Sequence, residues 1–549
     1  MRRSLMVFIS LAALVSSTVA MSAVGSETFT GTAARTGTYK RPLLLLDGTR
    51  YELKASDKAD ASVAELLAKF SQGDTGSYDV VGTRAAVNGQ DGILVDSIAP
   101  AAKPLPRTGA AAPDATAVQG AAPQATAKTT PAVKSAVVTV ADRRYTVHDY
   151  DDLSTRRYRF AIPEGLKTVR GLLVVGCHAG GDSTNYFVDC EYYRQFLHLH
   201  DFAFVGCTST VGSPFSALAT KVVTANDRHR AIFQAFRECV EKVATASRHP
   251  ELVNAPYATT GFSAGGGFAN DLMTFDSERT IAVGIYGSRY NFGRITPPPS
   301  AALLAIPAIC ITGEQENWNE PDPQTGLGRI DEVFVPYRPK GAHYAWLDRQ
   351  GIGHSYDENR QDLLAMPLLD AAVRARYPND GDVTKGPVKL VDIDPATGWV
   401  ADNTTWKSGL TKIVPAKEFK GDLGHSSWLQ NEDLAFIYRA YSTWDKPLTI
   451  TSPGNCWPTV PALDPGASVP IIVDAARFPD WKTMSFYDGA RKLGQITQGS
   501  AARFTATSLT PGYHVFSVLA ADGDGTVRTA DPKVVIVRNL STDIGAARQ

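Results

Sequence analysis

The apolar positions change rhythm along the chain. Between about residues 136 and 378, Gly171 to Gly176, Phe202 to Gly206, Ile281 to Tyr286 and Ala308 to Thr312 are apolar at consecutive rather than alternate positions. Such runs mark strands buried on both faces. Between them lie stretches with helical spacing. In Asp227 to Ala246, residues Ile232, Phe233, Phe236, Val240 and Val243 fall on one face. Strand and helix in alternation predict a parallel sheet covered on both sides. A last strand is expected at Ala342 to Leu347, and a helix from about Arg360 to Tyr377 closes the domain.

The flanks have other rhythms. Residues 24–98 offer strand-like runs at Leu43 to Leu46, Tyr51 to Ala55, Tyr78 to Val81 and Ile93 to Ile98. Asp47-Gly48 and Asn88-Gly89 mark turns, and Ser62 to Phe70 has helical spacing. This predicts a small β-barrel-like, OB-like domain without a catalytic constellation. Residues 99–135, rich in Ala, Pro and Thr, read as a linker too poor in large apolar residues to form a core. Residues 379–446 are Trp-rich and are expected to form an irregular extension packed on the core. In 447–538, Val469 to Val473, Thr483 to Tyr487, Arg503 to Thr507, Tyr513 to Leu519 and Lys533 to Val537 alternate with turn signals. That spacing predicts an immunoglobulin-like β-sandwich.

Candidate chemistry sits in the middle segment. Gly261-Phe262-Ser263-Ala264-Gly265 stands between a strand-like run and the start of a helix. A turn this tight lifts a serine hydroxyl clear of the sheet and points helix N–H groups at the same place. A serine nucleophile needs a base, an orienting acid and an oxyanion hole. For the acid, Glu316 follows the strand at Ala308 to Thr312 in a Gly-x-x-Glu turn, with Glu314, Asp322 and Asp331 as alternatives. For the base, His343, His354, His425 and His514 follow in the chain. His343 falls in a strand and His514 in the sandwich, whereas His354 occupies a Gly-rich loop directly after the last strand. His425 is the reserve. The oxyanion donors are expected at Ala264 and in the loop His178-Ala179-Gly180-Gly181.

These motifs resemble the α/β-hydrolase family, in particular secreted esterases of the polyhydroxybutyrate depolymerase and feruloyl esterase type. The resemblance covers roughly residues 136–378. It implies a triad of Ser263, His354 and Glu316 acting through an acyl-enzyme on carboxylic esters, with no metal and no organic cofactor. Relatives usually have Asp where Glu316 stands, and Cys177 before the oxyanion loop is a second departure. Ester groups on polysaccharides and polyesters are the leading substrates. A peptidase of the same fold, or a binding and adhesion protein on a hydrolase scaffold, are the alternatives. Trp318 and Trp346 flank the acid and base loops and are candidates, with His425, for the substrate cleft.

Composition narrows the setting. A net charge of −1 over 549 residues does not suggest nucleic acid or an anionic membrane as a partner. Arg2 and Arg3, the apolar run Leu5 to Val15 and small residues up to Ala20 and Ala23 have the layout of a signal peptide spanning residues 1–23. A secreted or periplasmic protein follows, with no membrane span after cleavage. Export gives the six cysteines meaning. Cys177 and Cys207 end two strands and, if these are neighbours, either pair or remain buried thiols. No zinc-binding spacing is present.

Overall fold

The computed structural model describes residues 27–35, 42–46, 49–72, 77–87, 90–100, 132–152, 156–178, 181–208, 225–288, 299–316, 334–354, 362–454 and 460–538. The expected signal peptide and most of the expected linker lie outside them. The chain divides into two compact units, residues 1–126 and 127–549.

In the first unit, strands β1 (Glu27–Arg35), β2 (Pro42–Leu46), β3 (Thr49–Ala55), β4 (Ser77–Val87) and β5 (Gln90–Pro100) close into a barrel in the order β1-β2-β3-β5-β4. Helix α1 (Ala61–Gln72) lies between β3 and β4 in the chain. Its Val63 and Leu67 pack with Leu53, Val80, Ile93 and Val95. The apolar pattern does not announce β1, whose only large apolar residue is Phe29.

The second unit is built on a nine-stranded sheet. Its strands are β6 (Lys134–Val140), β7 (Arg143–Asp152), β8 (Arg156–Pro163), β9 (Gly171–Gly176), β10 (Phe202–Cys207), β11 (Tyr257–Phe262), β12 (Thr280–Tyr286), β13 (Ala308–Gly313) and β14 (Tyr344–Arg349). The spatial order is β14-β13-β12-β11-β9-β10-β8-β7-β6. Pairing is antiparallel from β6 to the β8–β10 contact and parallel from β10 to β14. Strands β9 to β13 are buried at every residue, which is why their sequences read as unbroken apolar runs. Helices α2 (Glu191–His200), α3 (Ala225–Ser247), α4 (Ala264–Phe275) and α5 (Asp362–Arg376) connect and cover them. From β9 the chain moves to β10 on one side, then returns to place β11 on the other. The connections leaving β9 and β11 therefore run to opposite sides of this pair, the switch point at whose carboxyl ends ligands of such sheets commonly bind.

The segment expected to be irregular carries regular elements from residue 399 onward. Strands β15 (Trp399–Asp402), β16 (Ile413–Pro415) and β17 (Ser426–Leu429) form an antiparallel sheet, followed by helix α6 (Glu432–Ser442). Strands of three or four residues are too short to display an alternation in the sequence. This layer covers the edge strand β14. Ser427 Oγ accepts from Trp346 N at 2.9 Å and donates to Trp346 O at 3.0 Å, satisfying backbone groups that would otherwise form an open edge.

Beyond it, β18 (Thr449–Ser452), β20 (Val469–Asp474) and β23 (Arg503–Ala506) form one sheet. The other contains β19 (Ala462–Leu463), β21 (Trp481–Asp488), β22 (Arg491–Thr497), β24 (Gly512–Asp522), β25 (Val527–Thr529) and β26 (Lys533–Val537). Ile471, Val473, Met484, Phe486, Phe516 and Val518 from both sheets fill the space between them. Outward-facing Val515, Val534 and Ile536 join the core of the large sheet instead, and Gln195 Nε2 donates to Val537 O at 3.1 Å. The sandwich is thus part of the same compact unit. Among the described residues no helix is long and apolar enough to cross a membrane.

Candidate active site

Strand β11 ends at Phe262 and α4 begins at Ala264, so the chain reverses direction on Ser263 alone. Its backbone sits at φ 55, ψ −116, a conformation that L-residues rarely hold and that surrounding contacts must enforce. The enforcement is visible in the glycines. A Cβ on Gly265 would lie 2.3 Å from the carbonyl carbon of Gly176 at the end of β9, and one on Gly261 would lie 2.2 Å from Gly265 O. Helix α4 can start against β9 only because these positions lack side chains. Ser263 N–H is fixed by donation to Tyr286 O at 2.8 Å. A serine at this position commonly caps its helix, but here the hydroxyl makes no cap bond. It faces His354 instead, with Oγ 3.0 Å from Nε2.

His354 follows β14 in the loop beginning at Gly351. Glu314 Oε2 accepts from Gly351 N at 2.9 Å and clamps the base of that loop. Glu316 Oε1 lies 2.5 Å from His354 Nδ1, while its Oε2 accepts from Gly313 N at 2.6 Å. The Glu316 side chain is 1% exposed and that of His354 35%: the carboxylate is sealed beneath an imidazole that remains accessible. A carboxylate can only accept, so it selects the tautomer with hydrogen on Nδ1 and leaves the Nε2 lone pair for the serine hydroxyl. A serine, imidazole and carboxylate in this order can move a proton off Oγ as it attacks an electrophile.

Among the predicted oxyanion donors, Ala264 is the exposed first residue of α4. His178 accepts through its carbonyl from Gly181 N at 2.9 Å, and its ring stands at 62° to that of Phe262 with centroids 6.3 Å apart. Ala179 and Gly180 lie outside the described residues. The far side of this loop is tied to β10: Ser183 Oγ accepts from Cys207 N at 2.9 Å and donates to Val175 O at 2.7 Å. Strands β9 and β10 are neighbours, and Cys177 and Cys207 are both buried and not joined by a disulfide, with Cys177 Sγ donating to Cys207 O at 3.1 Å.

The other candidates go elsewhere. His343 is buried just before β14, stacked on Trp428 at 4.1 Å with Nδ1 bonded to Ala305 O, and burial pushes it down to about 4. His425 pairs with Asp422 in an exposed turn of the extension. His514 is held in the sandwich by Asp488 and Thr510 O. Trp346 donates from Nε1 to Thr312 Oγ1 at 3.0 Å and packs edge-on against Trp406 and Phe334. Trp318, Asp322 and Asp331 lie outside the described residues. Sequence reasoning missed Phe262, which stacks on His354, the clamp role of Glu314, and Asp348. The signal for Phe262 was its place inside the serine motif. Burial pushes Asp348 up to about 6; its Thr312 hydrogen bond and Lys407 oppose this, and Glu314 and Glu316 add to it. Among the described residues, no three His, Cys, Asp or Glu side chains group as a metal site would require.

No protein-family model and no curated protein matches the chain. Solved structures do. Over 44% of its length this chain is similar to 98% of poly(aspartic acid) hydrolase-1 from Sphingomonas sp. KT-1, at 16% identity and a TM-score of 0.28. The feruloyl esterase module from Clostridium thermocellum, complexed with sinapinate, matches over 44% of this chain and 87% of its own, at 11% identity and a TM-score of 0.26. A further match is to fibronectin(III)-like modules of Clostridium thermocellum CbhA, at 19% identity and a TM-score of 0.15. It covers 17% of this chain, which spans under half of that protein, 45%. Likenesses of this size decide nothing about the reaction, which must be argued from residues 263, 316 and 354.

Proposed function

We propose that the chain is a serine hydrolase of the α/β-hydrolase type that cleaves carboxylic esters. The observation that carries this reading is the relay from Ser263 Oγ to His354 at 3.0 Å and on to Glu316 at 2.5 Å, assembled on a serine held at φ 55. Ser263 Oγ attacks the ester carbonyl while its proton passes to His354 Nε2. Ala264 N–H and the loop opening at His178, with Ala179 and Gly180, take the oxyanion. His354 returns the proton to the departing alcohol. It then takes one from a water whose oxygen attacks the acyl carbon, and passes it to Ser263 Oγ as the acyl–Oγ bond breaks and the acid leaves. Glu316 holds the ring and balances its transient charge. No step needs a metal or an organic cofactor.

The sequence resemblance to secreted esterases favours polysaccharide-linked acyl groups or polyesters, acted on outside the cytoplasm. The barrel's strand order with a helix between β3 and β4 supports an OB-like module, and the two-sheet arrangement supports an immunoglobulin-like one; both fit an exported enzyme with accessory domains. The test is a fluorophosphonate probe followed by a panel of acetylated, feruloylated, polyester and peptide substrates. Labelling at Ser263 and turnover of esters are expected, with Ser263→Ala lowering turnover by roughly 10⁶. Ester cleavage at the normal rate by that variant sinks the reading, and preference for peptides moves it to a peptidase.

A further inference from the structure

Phe262, between the first glycine and the serine of the motif, is 1% exposed. Its ring lies under the imidazole of His354, with centroids 4.9 Å apart and planes inclined by 29°. Gly287, at φ +52, closes over the other atoms of the pair. A Cβ there would stand 2.3 Å from Phe262 Cε2 and 3.2 Å from His354 Cε1. Gly287 is held in place by donating to Ile311 O at 3.0 Å. The ring is therefore fixed by three strands: its own β11, Gly287 after β12, and the β13 carbonyl that anchors Gly287.

We propose that Phe262 is a positioning residue for the base: an aromatic floor that fixes the plane of the His354 ring and attracts, by cation–π interaction, the positive charge the ring gains as it takes the serine proton. The inference rests on the reading of His354 as the base. When the imidazole accepts the Ser263 proton it becomes a cation, and the face of an aromatic ring at this separation attracts it. The attraction grows as charge develops, so it acts on the transition state more than on bound substrate. Glu316 faces the same imidazole directly; Glu314 follows the end of β13, Asp348 lies near the end of β14, and the His178 ring stands at 62° to that of Phe262. Glu316 and Phe262 divide the task, one fixing the Nδ1 edge and the other the face.

The experiment replaces Phe262 with phenylalanine carrying one, two or three ring fluorines in the full chain. Fluorination keeps the shape while draining negative charge from the ring face. A stepwise fall in kcat, about 3- to 10-fold in all, with KM within about twofold, is expected. Phe262→Leu should fall at least as far, and Phe262→Met serves if that variant does not fold. Gly287→Ala, which crowds both rings, should also lower kcat rather than raise KM. A flat kcat across the fluorinated series overturns the cation–π role, and an unchanged kcat in Phe262→Leu as well overturns the floor altogether. If the unmodified protein neither labels at Ser263 nor turns over esters, it is the reading of the site that fails, independently of these variants.

Discussion

Because Gly313 N–H and His354 Nδ1 engage one oxygen each of Glu316, its amide replacement has a direction. In Glu316→Gln the carbonyl oxygen is kept by Gly313 N–H, so the NH₂ group faces Nδ1. The imidazole must then carry its hydrogen on Nε2, pointing it at Ser263 instead of a lone pair. We expect kcat to fall by roughly 10³–10⁴ with folding intact, measured by steady-state ester hydrolysis. Glu314→Gln keeps an acceptor for Gly351 N–H and should stay within about threefold of the starting rate. A larger loss in the second variant than in the first would reverse the assignment of the acid. Asp348 gives a separate handle on stability. Its carboxyl is raised from 3.8 to about 6 by burial first of all, so between these values the folded state holds more protons than the unfolded one. Stability contributed by this residue therefore falls as pH rises through that window, and the penalty remains above it. Asp348→Asn, which still accepts from Thr312, should stabilise the protein at pH 7 by on the order of 2–3 kcal/mol. The gain should vanish at or below about pH 4. Urea denaturation at the two pH values checks this, and an equal effect at both contradicts it.

At the scale of elements, the base loop depends on how β14 is finished. This strand is the edge of the large sheet, and its Trp346 backbone pairs with a side chain, Ser427, in place of another strand. Ser427 is fully buried and also bonded to Tyr438 OH at 3.0 Å. Removing the hydroxyl strands the Trp346 N–H, which costs about 1–3 kcal/mol. Ser427→Ala should therefore lower the melting temperature by several degrees and leave KM unchanged, measured by calorimetry and ester kinetics. Glu314 completes the arrangement from the β13 side by holding Gly351 N–H. Extension, edge strand and turn together fix where His354 stands.

For the whole molecule, the sandwich packs against the large sheet that carries Ser263. Its Val515, Val534 and Ile536 are 3% exposed or less and share a core with the large sheet. Its Asp531 takes Lys446 Nζ at 2.7 Å and Arg349, the last residue of β14, at 3.4 Å. Ending the chain at residue 446 exposes this apolar face, and the product should be insoluble or molten. Starting it at residue 127 leaves the second unit complete, and ester turnover should stay within about twofold. A soluble, active chain ending at 446 would refute the shared core.

Local signals were enough for much of this. The unbroken apolar runs of β9 to β13 and the glycines around Ser263 record backbone burial and close approach at their own positions. The loops after β13 and β14 lie next to their strands, so Glu316 and His354 were legible by place. Tertiary contact decided the rest. Glu314 and Glu316 are two residues apart, and only packing sends one to the loop backbone and seals the other beneath the imidazole. Ser263 and His354 are 91 residues apart, and the floor that Phe262 puts under that imidazole exists only once β11 and β14 share a sheet. The same holds for the extension and the sandwich, because a sequence records which residues avoid water but not which surface they avoid it against.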